Sequence, residues 1–243
     1  MGIRRRAGLV ASWFLVPVVV VVSAAAVATA ATRADTSDTD IAKVGVVVAT
    51  DFPSGFTSKP ASTASDAQLA TLARGIGSCK GYAALQRVID AQPKAKSRDF
   101  SDGSRDVSND VDVFSSEEKA HAALVNYGDA SVPTCLEKLL GKVLTQQYAK
   151  DPKTKGKIKS VVVSLSPQEI SGLGDSSVVY EGSARITGKD RSVVQVGLGN
   201  AAVQVGRAVS DYTYTTSGSD LTTVLQPAID QSVARLRAAL TTG

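Results

Sequence analysis

Ile158-Lys159-Ser160-Val161-Val162-Val163-Ser164-Leu165 opens the stretch that decides the fold. From there to Thr216 the apolar positions keep a period of two, through Ser177 to Thr187, Ser192 to Leu198 and Ala202 to Thr216. A period of two is the pleat of a strand, because successive side chains leave opposite faces. The interruptions around Gly172 to Asp175, Gly188-Lys189-Asp190 and Gly199-Asn200 carry turn-forming residues and are too short for a crossover helix. The reading is an antiparallel meander of four strands, with Gly199-Asn200 as its last hairpin turn.

Outward from the meander the period lengthens. Downstream, Ser219 and Asp220 open a helical stretch with Leu225, Ile229, Val233, Leu236 and Leu240 on one stripe, and Pro227 marks a kink or a fresh first turn. Such a stripe must be buried, so this helix should lie on the sheet. Upstream, Pro133 suits the first turn of a helix carrying Cys135, Leu136, Leu139, Leu140, Val143 and Leu144. Ser115 with Glu118 makes a capping box for a helix through Ala120, Leu124 and Tyr127 that ends at Gly128. Asp106 to Phe114 alternates Val107, Val111 and Val113 against Ser108, Asp110 and Asp112, a strand with one wet face.

Nearer the start, a helix around Leu85, Val88 and Ile89 stops before Pro93, and Ser65 with Gln68 caps an earlier helix that delivers Cys79. Val46 to Ala49 forms a short strand or an extended lead-in, closed by a turn at Asp51-Phe52-Pro53-Ser54-Gly55. No internal repeat interrupts this order. The expectation is one α+β domain over residues 44–243, a mainly antiparallel sheet with helices packed on one face, behind a polar linker at residues 31–43.

Composition sets the address. The 243 residues are 43% hydrophobic and 21% charged, which is globular rather than disordered. A formal charge of +4 invites a polyanion as partner, but three of the basic groups are Arg4, Arg5 and Arg6, the only charged side chains in residues 1–30. Residues 31–243 hold 24 basic and 23 acidic groups, so nucleic acid is not the expected partner. After the arginines, Ala7 to Thr32 is uncharged and apolar at its centre. This is an export segment at residues 1–30: either a signal peptide cleaved after Ala28-Thr29-Ala30, or a membrane anchor long enough to span about 30 Å of hydrocarbon. Both place the domain outside the cytoplasmic membrane, secreted or anchored, with the membrane itself as a partner through this segment.

Cys79 and Cys135 are the two cysteines of the chain, both in the exported part, where oxidation is permitted. One disulfide between them is the simplest arrangement; two isolated cysteines and a single histidine cannot complete a tetrahedral zinc site. His121, four residues after Glu117, reads as an i,i+4 pair on a solvated helix face, and its solitude removes Ser-His-Asp and multi-histidine arrangements. Gly197-Leu198-Gly199-Asn200-Ala201-Ala202 matches a relaxed dinucleotide fingerprint, but the following Val203, Val205 and Val209 alternate as strand where the fingerprint needs a helix N-terminus. Asp106, Ser108, Asp110, Asp112 and Glu117 fall on positions 1, 3, 5, 7 and 12 of a calcium loop, yet Val111 stands where that loop needs Gly. Lys150, Lys153, Lys155, Lys157 and Lys159 make a positive turn able to meet anionic headgroups or phosphate polymers, or simply to be solvated. No cofactor, catalytic residue or metal ligand is expected.

The layout resembles actinobacterial exported domains, in particular the extracellular sensor-like domains of mycobacterial membrane kinases and their stand-alone relatives. The carrying features are Asp51-Phe52-Pro53-Ser54-Gly55, Cys79, Val113-Phe114-Ser115-Ser116 before an Ala-rich helix, Pro133-Thr134-Cys135, and Val205-Gly206-Arg207-Ala208-Val209. They span roughly residues 45 to 241. The resemblance implies a non-enzymatic cell-envelope binding or sensor-like domain, with an envelope lipid or protein as partner and an apolar pocket between helix and sheet. The sensor domains of these kinases usually have two disulfides where this chain can form one. The alternatives are an exported hydrolase using a carboxylate pair, and a structural or assembly protein at the membrane.

Overall fold

The computed structural model describes residues 33–61, 71–217 and 222–242. The expected export segment, the Ser65–Gln68 cap and the Ser219–Asp220 opening lie outside the described residues, among which no helix is long and apolar enough to cross a membrane. Helices are α1 (Arg33–Gly45), α2 (Lys80–Asp90), α3 (Glu117–Tyr127), α4 (Ser131–Lys150) and α5 (Thr222–Thr242), with a helical turn over residues 71–74. Strands are β1 (Thr57–Lys59), β2 (Lys94–Lys96), β3 (Asp99–Ser101), β4 (Arg105–Val113), β5 (Ile158–Gln168), β6 (Ser176–Gly188), β7 (Val193–Val205) and β8 (Ala208–Thr216). They form one antiparallel sheet in the order β1-β3-β4-β8-β7-β6-β5, with β2 also on β4. The α+β reading with a mainly antiparallel sheet therefore holds, and the Cys79–Cys135 disulfide is present.

Helices clothe both faces rather than one. Val111, Val203 and Tyr212 join Ile229, Val233 and Leu236 of α5 and Ile41 and Ala42 of α1 in one buried cluster. Their strand neighbours Ala202 and Val209 point the other way and join Leu124 and Tyr127 of α3 and Leu136 of α4 in a second. The C-terminal part of α4 continues this second layer, Leu140 and Leu144 lying on Val163, Ala184 and Leu198.

Residues 33–45 are helix α1 rather than a polar linker. Ile41 and Ala42 are buried against the sheet, and Asp38 pairs with Arg207 in the turn between β7 and β8. The adjacent pair Ile41 and Ala42 is too short a pattern in a polar run to predict a packed helix. Val46 to Val48 is the extended lead-in, held without a strand ladder: Val47 N–H donates to Asn109 Oδ1 at 2.8 Å, and Asn109 Nδ2 donates to Ser210 Oγ at 2.9 Å.

The last hairpin turn is also displaced. Gly199 and Asn200 sit in the middle of β7, paired with Tyr214 and Thr213, and the chain turns at Gly206-Arg207 instead. Gly206 has φ +51°, a region that favours glycine. At Gly199 the glycine serves packing: a Cβ there would stand 1.8 Å from the Tyr214 ring. Sequence alone cannot separate a glycine that turns the chain from one that makes room for a ring on the next strand. The α3 cap shifts by one residue, Ser116 Oγ accepting from Lys119 N–H.

Candidate functional site

The loop between β5 and β6 folds back over the α5 face of the sheet. Gly172 and Gly174 have φ of +84° and +61°, and a Cβ on Gly174 would meet Gln204 O at 2.3 Å, so the loop lies against β7 at a distance that suits glycine. Asp175 fastens its far end, accepting from Gly206 N–H at 2.7 Å and from Arg237 Nη2 of α5 at 2.8 Å. Those contacts, led by the Gly206 amide, hold the Asp175 carboxyl below its ordinary range.

This arrangement makes a two-part depression. The outer part is a solvent-open bowl of about 370 Å³ lined by the loop from Gln168 to Ser177. The inner part is a slot of about 20 Å³ between the loop, the sheet and α5, with Val179, Ala201, Leu225 and Ile229 on its walls. Ile170 and Leu173 line both parts and separate them. The slot's polar lining is Gln226 and one bonded pair, in which Tyr214 OH donates to Glu181 Oε1 at 2.8 Å. Burial, with the Glu181 bond second, pushes the Tyr214 phenol up, so it stays a neutral donor. The slot as it stands has room for about one water, and a larger guest must part Ile170 and Leu173.

A second polar group lies on the opposite face. Asp110 of β4 is directly across from Asp211 of β8, and Asp112 follows two residues along on the same side. The face expected to be wet is covered at this point: Asp112 is 4% exposed, and its Oδ1 has no hydrogen-bond partner among the described residues. Burial pushes its carboxyl up to about 8, against the pull of Lys94 on β2 and with Asp110, Asp211 and Asp90 adding to the rise. Beside it Tyr127 OH donates to Asn200 Oδ1, and Asn200 Nδ2 donates to Asp211 Oδ1. The Tyr127 phenol is raised by burial and then by Asp211.

With this geometry in place, comparison with known proteins adds a distant likeness. No protein-family profile and no curated protein matches the sequence. The chain is similar to the extracellular domain of PknH from Mycobacterium tuberculosis, at 12% identity and a TM-score of 0.37, over 69% of this chain and 76% of that one. That likeness is remote in both sequence and shape.

The residues singled out in the sequence fall apart in space. His121 is exposed on α3, and its Nδ1 lies 3.2 Å from Gln204 Oε1 of β7 rather than against Glu117. Gly197 to Ala202 runs wholly within β7. Asp106, Ser108, Asp110 and Asp112 alternate along straight β4, so they do not curl into a loop, and Glu117 begins α3. Among the described residues no group of three or more His, Cys, Asp or Glu side chains is placed to hold a metal. Lys153 to Lys157 form the turn after α4. The depression was missed because its parts, Ile170, Glu181 and Tyr214, belong to a loop and two separate strands; the glycine pair Gly172 and Gly174 was its one local signal.

Proposed function

We propose that residues 44–243 act as a non-enzymatic, sensor-like binding domain outside the cytoplasmic membrane, and that the ligand is a slender apolar molecule with one hydrogen-bonding group. The adjacency of bowl and slot, divided only by Ile170 and Leu173, carries this reading. The apolar part would enter the slot, and its polar group would take over the Glu181–Tyr214 bond or face the bowl. The export segment and a disulfide suited to an oxidising compartment support the location.

The test is native mass spectrometry of the purified protein after incubation with envelope lipid extract. A retained adduct that disappears in Ala201→Leu, which fills the slot, is the expected result. No adduct on the wild-type protein, or the same adduct on both, overturns the reading.

The carboxylate-hydrolase alternative has one observation in its favour, the raised carboxyl of Asp112 beside Asp110 and Asp211. A general acid must reach the bond it protonates, and Asp112 is almost fully buried. The apolar slot is therefore preferred.

A further inference from the structure

The strand β7 runs from Val193 to Val205, about 40 Å at the rise of an extended chain. Its two ends differ sharply in charge. At the Val193 end, the turn after α4 meets the hairpin between β6 and β7, joined by the bond from Lys189 N–H to Lys157 O at 2.8 Å. The fold thereby adds Lys189 and Arg191 to Lys150, Lys153, Lys155, Lys157 and Lys159, and all seven are exposed. Asp151 and Asp190 are the acids of these two turns. Asp151 Oδ1 accepts from Lys153 N–H, and Asp190 Oδ1 accepts from the amide and hydroxyl of Ser192, so both carboxylates are turned into their own loops. Arg191 holds φ +67°, a conformation that suits glycine better, yet the hairpin keeps a cation there.

With this tip set aside, the rest of residues 31–243 carries 17 basic and 21 acidic groups. The domain is therefore electrically polar along the sheet, positive at one end and acidic elsewhere. The lysine end is also the end away from α1. Asp38 of α1 pairs with Arg207, in the turn at the Val205 end of β7.

We propose that the tip is a docking site for a slender phosphate-bearing polymer of the cell envelope. Seven exposed cations on two adjoining turns suit a flexible polyanion, whose successive phosphates can follow the convex tip, better than a flat bilayer, which meets only its summit. The tip also stands on the far side of the domain from the α1 end, where the chain from the export segment arrives.

Fluorescence anisotropy of full-length protein in detergent, titrated with labelled inorganic polyphosphate, tests this. Binding should weaken with added salt, and the joint reversal Lys153→Glu, Lys155→Glu, Lys157→Glu and Lys189→Glu should weaken it by about tenfold or more. Reversing Lys59, Lys80, Lys119 and Lys138, which lie off the tip, should change it by less than about twofold. The apolar slot plays no part in either variant. Absence of binding, or equal loss in both variants, overturns the proposal. So does tip-dependent sedimentation with phosphatidylglycerol vesicles as strong as polyphosphate binding, which would make the partner a membrane surface.

Discussion

Arg235 of α5 closes a two-pronged ion pair on Asp51, Nη1 to Oδ1 and Nη2 to Oδ2, both at 2.7 Å. The same guanidinium donates to the carbonyls of Val44 and Val46, so one side chain ties the last helix to the chain that enters the domain. The Asp51 side chain is fully buried. Its other oxygen-side contact is the Val48 amide at 2.9 Å. Removing Arg235 leaves a buried carboxylate without its countercharge, a loss on the order of 3 kcal/mol. Arg235→Met should lower the urea midpoint accordingly, and the double variant Arg235→Met, Asp51→Leu should recover part of the loss. An unchanged midpoint in the single variant would contradict the role of the pair.

Asp112 gives the domain an inverted pH response. Its folded pKa of about 8 lies above the ordinary carboxylate value, so between about pH 4 and pH 8 the native state binds the proton more tightly than the unfolded chain. Stability should then fall as pH rises through that window, by a few kcal/mol at most, and level off above it. Denaturation at pH 5 and pH 8 reads the slope. Asp112→Asn should flatten it and be the more stable protein at pH 8.

The disulfide joins residues 56 apart, Cys79 at the start of α2 and Cys135 in α4, among Ala73, Ala83 and Leu139. In the chain-entropy account, closing a loop of that length contributes about 4 kcal/mol. Reduction, or Cys135→Ser, should depress the melting temperature markedly while leaving the sheet's circular-dichroism signal in the protein that still folds.

Gly199 carries the Tyr214 ring. A methyl group at Gly199 would overlap Cζ and Oη of that ring, and shifting the tyrosine would pull its hydroxyl off Glu181. Gly199→Ala should cost about 1–3 kcal/mol in chemical denaturation. Shortening the partner in Gly199→Ala, Tyr214→Leu should restore part of that loss. Additive losses would show that the two residues do not compete for one space.

Among the described residues the outer strand β5 is an open sheet edge of 11 residues. Two of its features discourage a neighbour: Pro167 has no N–H, and the Leu165 amide is donated to Glu137 Oε1 of α4 at 2.9 Å. Glu137→Ala would release that amide. Light scattering on heating should show earlier aggregation than in the wild-type protein, with little change in the midpoint of unfolding.

The meander, the amphipathic helices and the disulfide were legible because each depends on neighbours in sequence. The alternation from Ile158 onward, the cap before α3 and Pro133 in the first turn of α4 report local backbone preferences. The elements misread were those whose meaning lies across the sheet. Gly199 looked like a turn because the ring it accommodates is 15 residues away, on β8. Asp112 looked solvated because strand alternation reports a side and says nothing of what covers that side. Residues 31–43 looked like a tether because Ile41 and Ala42, apolar side chains buried there among the described residues, are adjacent and set no period.

By itself the sequence determined where the charge of the chain resides, the period of each main element and the one covalent crosslink available, since all three follow from residue identity and spacing. The tertiary structure alone decided which face each helix covers, that Asp112 is shut away from water, and that two separate turns merge into one cationic tip. Those outcomes depend on register and packing between distant segments, where shifting a strand by one residue exchanges its two faces.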